Sequence, residues 1–467
     1  MLKNGMVVFL FFLSIKVSAF QVEVVKDKFQ INEPTAPGII EWDHATVAMN
    51  QSGDFIVTWD VKWDPAVNEG WMEVFARAFD NQGNPKGSEF QLNETTVGFQ
   101  RIPDVATNGL DRFVVVWSSG KRSTGYDVYA KMLDSSGTSI SSEFKVNTSS
   151  SASRTWPDVA MYNNEDFIVI WDEMGNIGTG PGQELNYYIQ HFDKNGTPQL
   201  SVPQKVNQTS SEPPEEGELR GLPDIAVQGT TGSAVAVWER IENNTSILAG
   251  RRFDPYEMVI SKEIDIDPPT ESVDQRRPLI DANNQGQILI TWTEQSQQES
   301  DVYVKKFDGR WSAKSSPHIT QDNISQHRSV GKLIESGGLV LAWTQNRLGK
   351  EGVYMRFFSA NGNPIGEEII VDETDDNTQA LTSLSVVNGT EDNPLILCSV
   401  VNGTEDVNPL FLLADNTLEN YSQRRPAIGL KEDGNSILMI VTWETVVFEN
   451  HRPRGLGIYG KLYQITR

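Results

Sequence analysis

The sequence predicts an all-β chain: a β-propeller of four-stranded antiparallel blades, eight by preference and seven as the alternative. Three observations predict it. A valine-rich run ending on tryptophan recurs along most of the 467 residues. Each copy is followed by an alternating run and a glycine turn, and no stretch shows the 3.6-residue apolar period of a helix. A copy of the last strand of the unit stands at the N-terminal end, detached from the other three.

The unit is read most easily from Arg101 to Asn147, where four short β-prone runs are separated by turn chemistry. Its second run recurs as Phe55–Trp59, Phe113–Trp117, Phe167–Trp171, Ala234–Trp238, Ile288–Trp292, Leu339–Trp343 and Ile437–Trp443. The tryptophans are 58, 54, 67, 54, 51 and 100 residues apart, so the last gap holds two periods. A degenerate seventh unit, between about 380 and 425, fills that gap and decides between seven and eight. Its near-duplication of Ser385–Leu397 in the residues from 399 onward reads as two strands of one sheet. The third runs lead into turns at Asp80–Gly83, Asp134–Gly137, Asp193–Gly196 and Ser359–Gly362, where Asp or Ser caps amides and Gly accepts a positive φ.

Fourth runs such as Phe90–Leu92 and Phe144–Val146 complete each unit, but the last unit has none. Lys28–Asn32 closely matches Glu89–Asn93 and has no first three strands before it. A strand over about 27–33 is therefore expected to complete the last blade and close the ring, leaving no exposed edge. Two packed β-sandwiches are the competing architecture.

Residues 1–19 read as a secretory signal peptide: Lys3, an apolar Val7–Ile15 core and a small-residue site ending at Ala19. Residues 20–467 are then one domain, secreted to the extracellular space or the periplasm. Loss of Lys3 and Lys16 takes the formal net charge from -24 to -26. That acidity disfavours nucleic acid as a partner, and no later stretch is long and apolar enough for membrane insertion. A monomer is expected. Cys398 is the single cysteine, so no intrachain disulfide forms, and it reads as a buried small hydrophobe.

Those repeats resemble large secreted bacterial proteins carrying a G-x-F-V-V-W … Y-A-x-x-F-D-x-x-G … E-F-x-V-N pattern, best matched at Asp54–Asn93 and Phe113–Asn147. The resemblance implies an extracellular propeller-like module and assigns no chemistry.

Candidate residues fall into three sets. Trp59, Trp117, Trp171, Trp238, Trp292, Trp343 and Trp443 share one register and read as structural wedges between sheets. Trp42, Trp63, Trp71, Trp156 and Trp311 lie off it, and form a candidate aromatic platform for sugars or peptide side chains; Trp63 and Trp71 bracket an inserted loop. Arg101, Arg154, Arg220, Arg277, Arg328 and Arg425 each fall one to three residues before the start of a first strand, which makes them a candidate anion-binding ring. The competing reading pairs each arginine with a carboxylate, for which Asp104, Asp158 and Asp224 are at hand.

Catalytic residues are not identified: there is no H-E-x-x-H, G-x-S-x-G or Walker pattern, and acidic residues are too plentiful for a pair to stand out. His44 and His327 lie near the expected ring mouth. No cofactor or metal is implied; calcium is chemically conceivable at the acidic runs, but no EF-hand spacing supports it. Sequons at Asn93, Asn147, Asn207, Asn323, Asn388, Asn402 and Asn420 mark possible glycosylation positions.

The reading that follows is a secreted binding or adhesion module for a glycan or a protein, more binding than catalytic. The alternatives are an enzyme acting on an acidic polysaccharide, as hydrolase or lyase, and a structural repeat protein.

Overall fold

A computed structural model describes the backbone over 21–373 and 428–466. Within those spans it omits 34–37, 66–70, 122, 149–151, 176–183, 210, 212–221, 229–231, 243–244, 255–260, 269–272, 296–299, 309–312, 316–325, 334–337, 348–349, 434–435 and 450–451. The signal segment and the degenerate seventh unit thus lie outside the described residues.

The described chain is strands and turns. The chain begins with β1 (Gln21–Gln30), and the first unit holds β2 (Ile39–Met49), β3 (Phe55–Trp63), β4 (Met72–Phe79) and β5 (Phe90–Gln91). The second holds β6 (Phe99–Thr107), β7 (Arg112–Lys121), β8 (Gly125–Asp134) and β9 (Phe144–Lys145). Next come β10 (Ser153–Met161), β11 (Phe167–Met174), β12 (Leu185–Phe192) and β13 (Gln204–Lys205), then β14 (Asp224–Val227), β15 (Ala234–Glu242), β16 (Thr245–Phe253) and β17 (Ile264–Asp265). The fifth and sixth units are β18 (Asp274–Ala282), β19 (Ile288–Gln295), β20 (Ser300–Phe307), β21 (Ala313–Ser315), and β22 (Gln326–Leu333), β23 (Leu339–Arg347), β24 (Lys350–Phe358), β25 (Pro364–Glu373). The last are β26 (Ile428–Asp433), β27 (Ser436–Glu449) and β28 (Arg452–Thr466).

The expectation of a closed ring of seven or eight equal blades is corrected. The described strands form six sheets of unequal size, five of four strands and one of eight, and no curling of them into a closed ring is found. The eight-stranded sheet arises because Met72 of β4 pairs in parallel with Phe99 of β6, so the first two units share one sheet. Gly98, at φ +103°, leads into that bridge, and a Cβ there would lie 2.5 Å from the Gly120 carbonyl oxygen. Only glycine fits such an approach. β1 pairs antiparallel with β28, from Gln21↔Thr466 to Gln30↔Tyr459, and so begins earlier than the strand expected at 27–33.

Within each unit the strand pattern follows burial. Second strands are central and buried on both faces, as in Phe55–Val61, which explains their continuous β-branched and aromatic runs. Third strands alternate, as in Met72–Phe79. Trp59, Trp117, Trp171, Trp238, Trp292 and Trp343 are all at most 1% exposed and centre the apolar clusters between sheets. Replacing one by alanine removes about 3–5 kcal/mol of stability. The side chain of Trp443 is outside the described residues.

Neighbouring units are joined by recurring polar contacts. A cation on a third strand donates to the carbonyl that ends the preceding unit's fourth run: Arg77 to Ile31 at 2.9 Å, Lys131 to Leu92 at 3.1 Å and Lys305 to Ile266 at 2.9 Å. The sequon asparagines serve the fold as well. Asn93, Asn147 and Asn207 are 3–5% exposed, and their amide oxygens accept the Val74, Val128 and Tyr187 amides at 2.8–2.9 Å. These three side chains are occupied and sheltered from glycosylation; the other four sequons named above lie outside the described residues.

Candidate functional site

The site is built from an irregularity repeated in the first strands. In β2, β6, β10, β18 and β22 the register slips so that two residues stand opposite one. The doubled residues are His44–Ala45, Ile102–Pro103, Trp156–Pro157, Arg277–Pro278 and Arg328–Ser329. The single partners are Trp59, Trp117, Trp171, Trp292 and Trp343. Each is a β-bulge set against the recurrent tryptophan. The leading residue carries a positive φ of 51° at His44, 57° at Ile102, 50° at Trp156 and 55° at Arg277. Proline is tolerated at the second position because the bulge interrupts the ladder and leaves no amide to be paired there.

Three of these bulges meet at a pocket lined by His44, Thr46, Ile102, Pro103, Asp104, Trp156 and Pro157. His44 presents its ring edge to Trp156, with centroids 5.6 Å apart and planes at 70°. Its Nδ1 lies 2.8 Å from Oδ2 of Asp60, a carboxylate with no exposed surface. The same oxygen accepts the Ile102 amide at 2.7 Å, so one carboxylate holds the imidazole of one unit and the strained backbone of the next. Burial opposes protonation of His44, but the charges of Asp43 and Asp60 and the bond to Asp60 outweigh it, and Arg101 only partly offsets them; the pKa rises to about 9. His44 is therefore an imidazolium at neutral pH. Its Nδ1–H is committed to Asp60, and Nε2 is the ring nitrogen left for proton exchange.

Nearby, Asp172 accepts both the amide and the hydroxyl of Thr155 at 2.7 Å. Burial raises its pKa to about 6, against the lowering effect of those two bonds and of Arg101, with Glu173 adding to the rise. Arg101 thus acts electrostatically on both His44 and Asp172.

The six arginines do not share one register. Arg101 opposes Ser118, one residue before its bulge, and Arg154 opposes Glu173, two before. Arg277 leads its bulge, and the backbone of Arg328 holds the same position. Arg220 and Arg425 lie outside the described residues. Arg154 is 1% exposed and is bound by Glu173 at 2.8 Å and Asp127 at 3.3 Å, so it holds the fold together. The aspartates weighed as arginine partners each receive an amide from the next unit: Asp104 from Val159 at 3.1 Å, Asp158 from Ile225 at 2.8 Å and Asp224 from Ile280 at 3.0 Å.

The aromatic platform also divides. Trp42 is 2% exposed, within an apolar cluster, and Trp63 packs against that cluster. Trp71 is half-buried under the Lys121 ammonium, 5.6 Å from its ring centre. Trp156 alone of the five is found on the pocket wall, and Trp311 lies outside the described residues. Sequence reasoning placed His44 near the site but missed Asp60, Ile102 and the bulges. The available signal was the acidic residue directly after tryptophan in Trp59-Asp60, Trp171-Asp172 and Trp238-Glu239.

Among the described residues no three His, Cys, Asp or Glu side chains gather as a metal site requires, and no helix is long and apolar enough to cross a membrane.

No protein-family model and no curated protein match the sequence. The resemblance to secreted bacterial propeller-like repeat proteins is corrected by the sheets, which are unequal and not uniform four-stranded blades of a closed propeller. Solved structures do match remotely. A protein of unknown function from Dyadobacter fermentans aligns over 96% of this chain and 99% of its own, with a TM-score of 0.48 and 11% identity. An ulvan lyase bound to a GlcA–Rha3S repeat aligns over 69% and 79%, with a TM-score of 0.44 and 10% identity. A Hadza microbial sialidase aligns over 95% and 94%, with a TM-score of 0.41 and 9% identity. Carbohydrate-active enzymes recur among the matches, a remote likeness that assigns this chain no activity; the leaning away from catalysis and the description as a propeller binding module are not carried forward. The likeness is too remote to lend a role to any residue, and the reading below stands on the site's own geometry.

Proposed function

We propose that the chain is an enzyme acting on an acidic polysaccharide at the pocket where the His44, Ile102 and Trp156 bulges meet. One observation carries this reading: an imidazole locked at 2.8 Å to a fully buried carboxylate lies edge-on to a tryptophan on the wall of a pocket. Carboxylate-held imidazoles are a recurrent means of moving protons at neutral pH. The indole offers an apolar surface to a pyranose ring. The His44 charge, reinforced by Arg101, favours a sugar bearing a carboxylate or sulfate in a chain that is otherwise strongly acidic.

Cleaving a glycosidic bond, by hydrolysis or by elimination, requires a proton at the departing oxygen. His44 Nε2–H is the donor this arrangement supports, with Asp60 stabilising the imidazolium until transfer. Asp104 is the other titratable residue on the pocket wall.

The test is incubation of the purified protein with polygalacturonate, alginate and a sulfated polysaccharide, following new reducing ends and unsaturated uronate products. Turnover of at least one is expected, reduced on the order of 100-fold or more in His44→Ala. No product from any of the three, or full activity in His44→Ala, would sink the reading.

A further inference from the structure

We infer that the leading bulge residue of the first strands is the position with which this fold reads its ligand, and that Arg277 extends the site beyond the His44 pocket to a further anionic group of a polymer. The second part rests on the reading of the His44 pocket as a substrate site.

Among the described residues, five non-glycines have a positive φ. Four of them, His44, Ile102, Trp156 and Arg277, occupy this one position, each opposite the recurrent tryptophan. A side chain is disfavoured in that conformation, a β-branched one such as Ile102 most of all, and glycine would relieve it. None of the four is glycine. They are an imidazole, a branched alkyl group, an indole and a guanidinium, while the opposing residue stays tryptophan and the second bulge residue is proline in three of the four.

A scaffold position would keep its chemistry and shed its strain; this one keeps its strain and changes its chemistry. Two of the strained amides are held from across a unit boundary by carboxylates without exposed surface: Asp60 takes Ile102 at 2.7 Å and Glu239 takes Arg277 at 2.6 Å. Strain maintained in this way marks sites where function sets the backbone. β2, β6, β10, β14, β18 and β22 pack side by side in chain order, so equal register places the bulges along one end of the assembly. Three of them already share a pocket. Arg277 then places a guanidinium-bearing residue at this position two first strands beyond Trp156, of a chemistry suited to a carboxylate or sulfate on a later residue of the same polymer.

The test compares unaltered protein with Ile102→Gly, Arg277→Gln and His44→Ala, by calorimetric binding of a long oligogalacturonate and of dextran sulfate, with neutral dextran as control. Ile102→Gly, compared where the variant remains folded, is expected to weaken anionic binding by about tenfold; Arg277→Gln should weaken it by about tenfold for long chains and not for a disaccharide. The stronger of the two anionic probes identifies the group read. Unchanged affinity in both variants overturns the inference. If His44→Ala alone abolishes binding, the reading of the pocket survives without it. Binding of neither anionic probe by the unaltered protein overturns both.

Discussion

Phe90 lies directly beneath Gly137: a Cβ on that glycine would come within 2.8 Å of the Phe90 ring. Gly83 over Phe29 and Gly196 over Phe144 repeat the contact at 3.3 and 3.2 Å. The glycine that closes one unit's turn thus receives the phenylalanine of the preceding unit's fourth run. Gly137→Ala should destabilise by about 2 kcal/mol, combining a φ of +85° with the ring clash. Gly87→Ala, which meets nothing within 4 Å, should be near neutral by comparison in a urea titration.

Arg154 is a structural cation. Its removal leaves Asp127 and Glu173 without their shared guanidinium, although Asp127 keeps Lys145 at 2.7 Å. Arg154→Leu should cost about 3 kcal/mol in chemical unfolding. Anionic-polysaccharide affinity, measured where the variant remains folded, should not change.

The His44 pair sets a pH window. Its folded pKa, about 9, is raised above the unfolded value of 6.5. The stability it contributes is therefore complete below pH 6.5 and lost as pH rises through 9, a fall of roughly 3 kcal/mol. Asp60→Asn should lower the His44 midpoint by about one unit or more, read from the imidazole resonances across a pH series. An unchanged midpoint would remove Asp60 as the group that holds the proton.

Glu73 titrates for a different reason. Burial lifts its carboxyl to about 7, against the lowering effect of hydrogen bonds from Asn93 and Gln91. Stability associated with the protonated form is complete below pH 4.5 and lost as pH rises through 7. Glu73→Gln keeps an acceptor for both amides, so it should flatten that decline. At pH 8 it should be more stable than the unaltered protein by about 1–2 kcal/mol, as thermal unfolding at pH 5 and pH 8 would show.

Strand positions were readable wherever burial dictates composition. The run ending at Trp117 announces a central strand because both of its faces are covered, and Asp134–Gly137 announces a turn because Gly137 needs a positive φ. What escaped depends on pairing. A bulge opposite Trp59 is invisible until β2 and β3 are in register, so Arg101, Arg154 and Arg277 looked equivalent when they occupy three different places. The parallel bridge from Met72 to Phe99 involves two residues without a distinctive pattern, yet it overturns the expectation of equal sheets. Of the site, His44 was noticed for its location and Trp156 for being off register. Asp60 went unnoticed because one carboxylate among 63 acidic residues carries no mark until its neighbours are known.

The pairing of Gln21 with Thr466 has a consequence for biosynthesis. The apolar cluster around Trp59 draws on Ile440 and Leu462, so the earliest strands made wait for the latest before their surface is covered. Contacts of such sequence separation form slowly and leave the nascent chain open to misassembly. A chain cut short before β28 would leave the first unit uncovered along with the last.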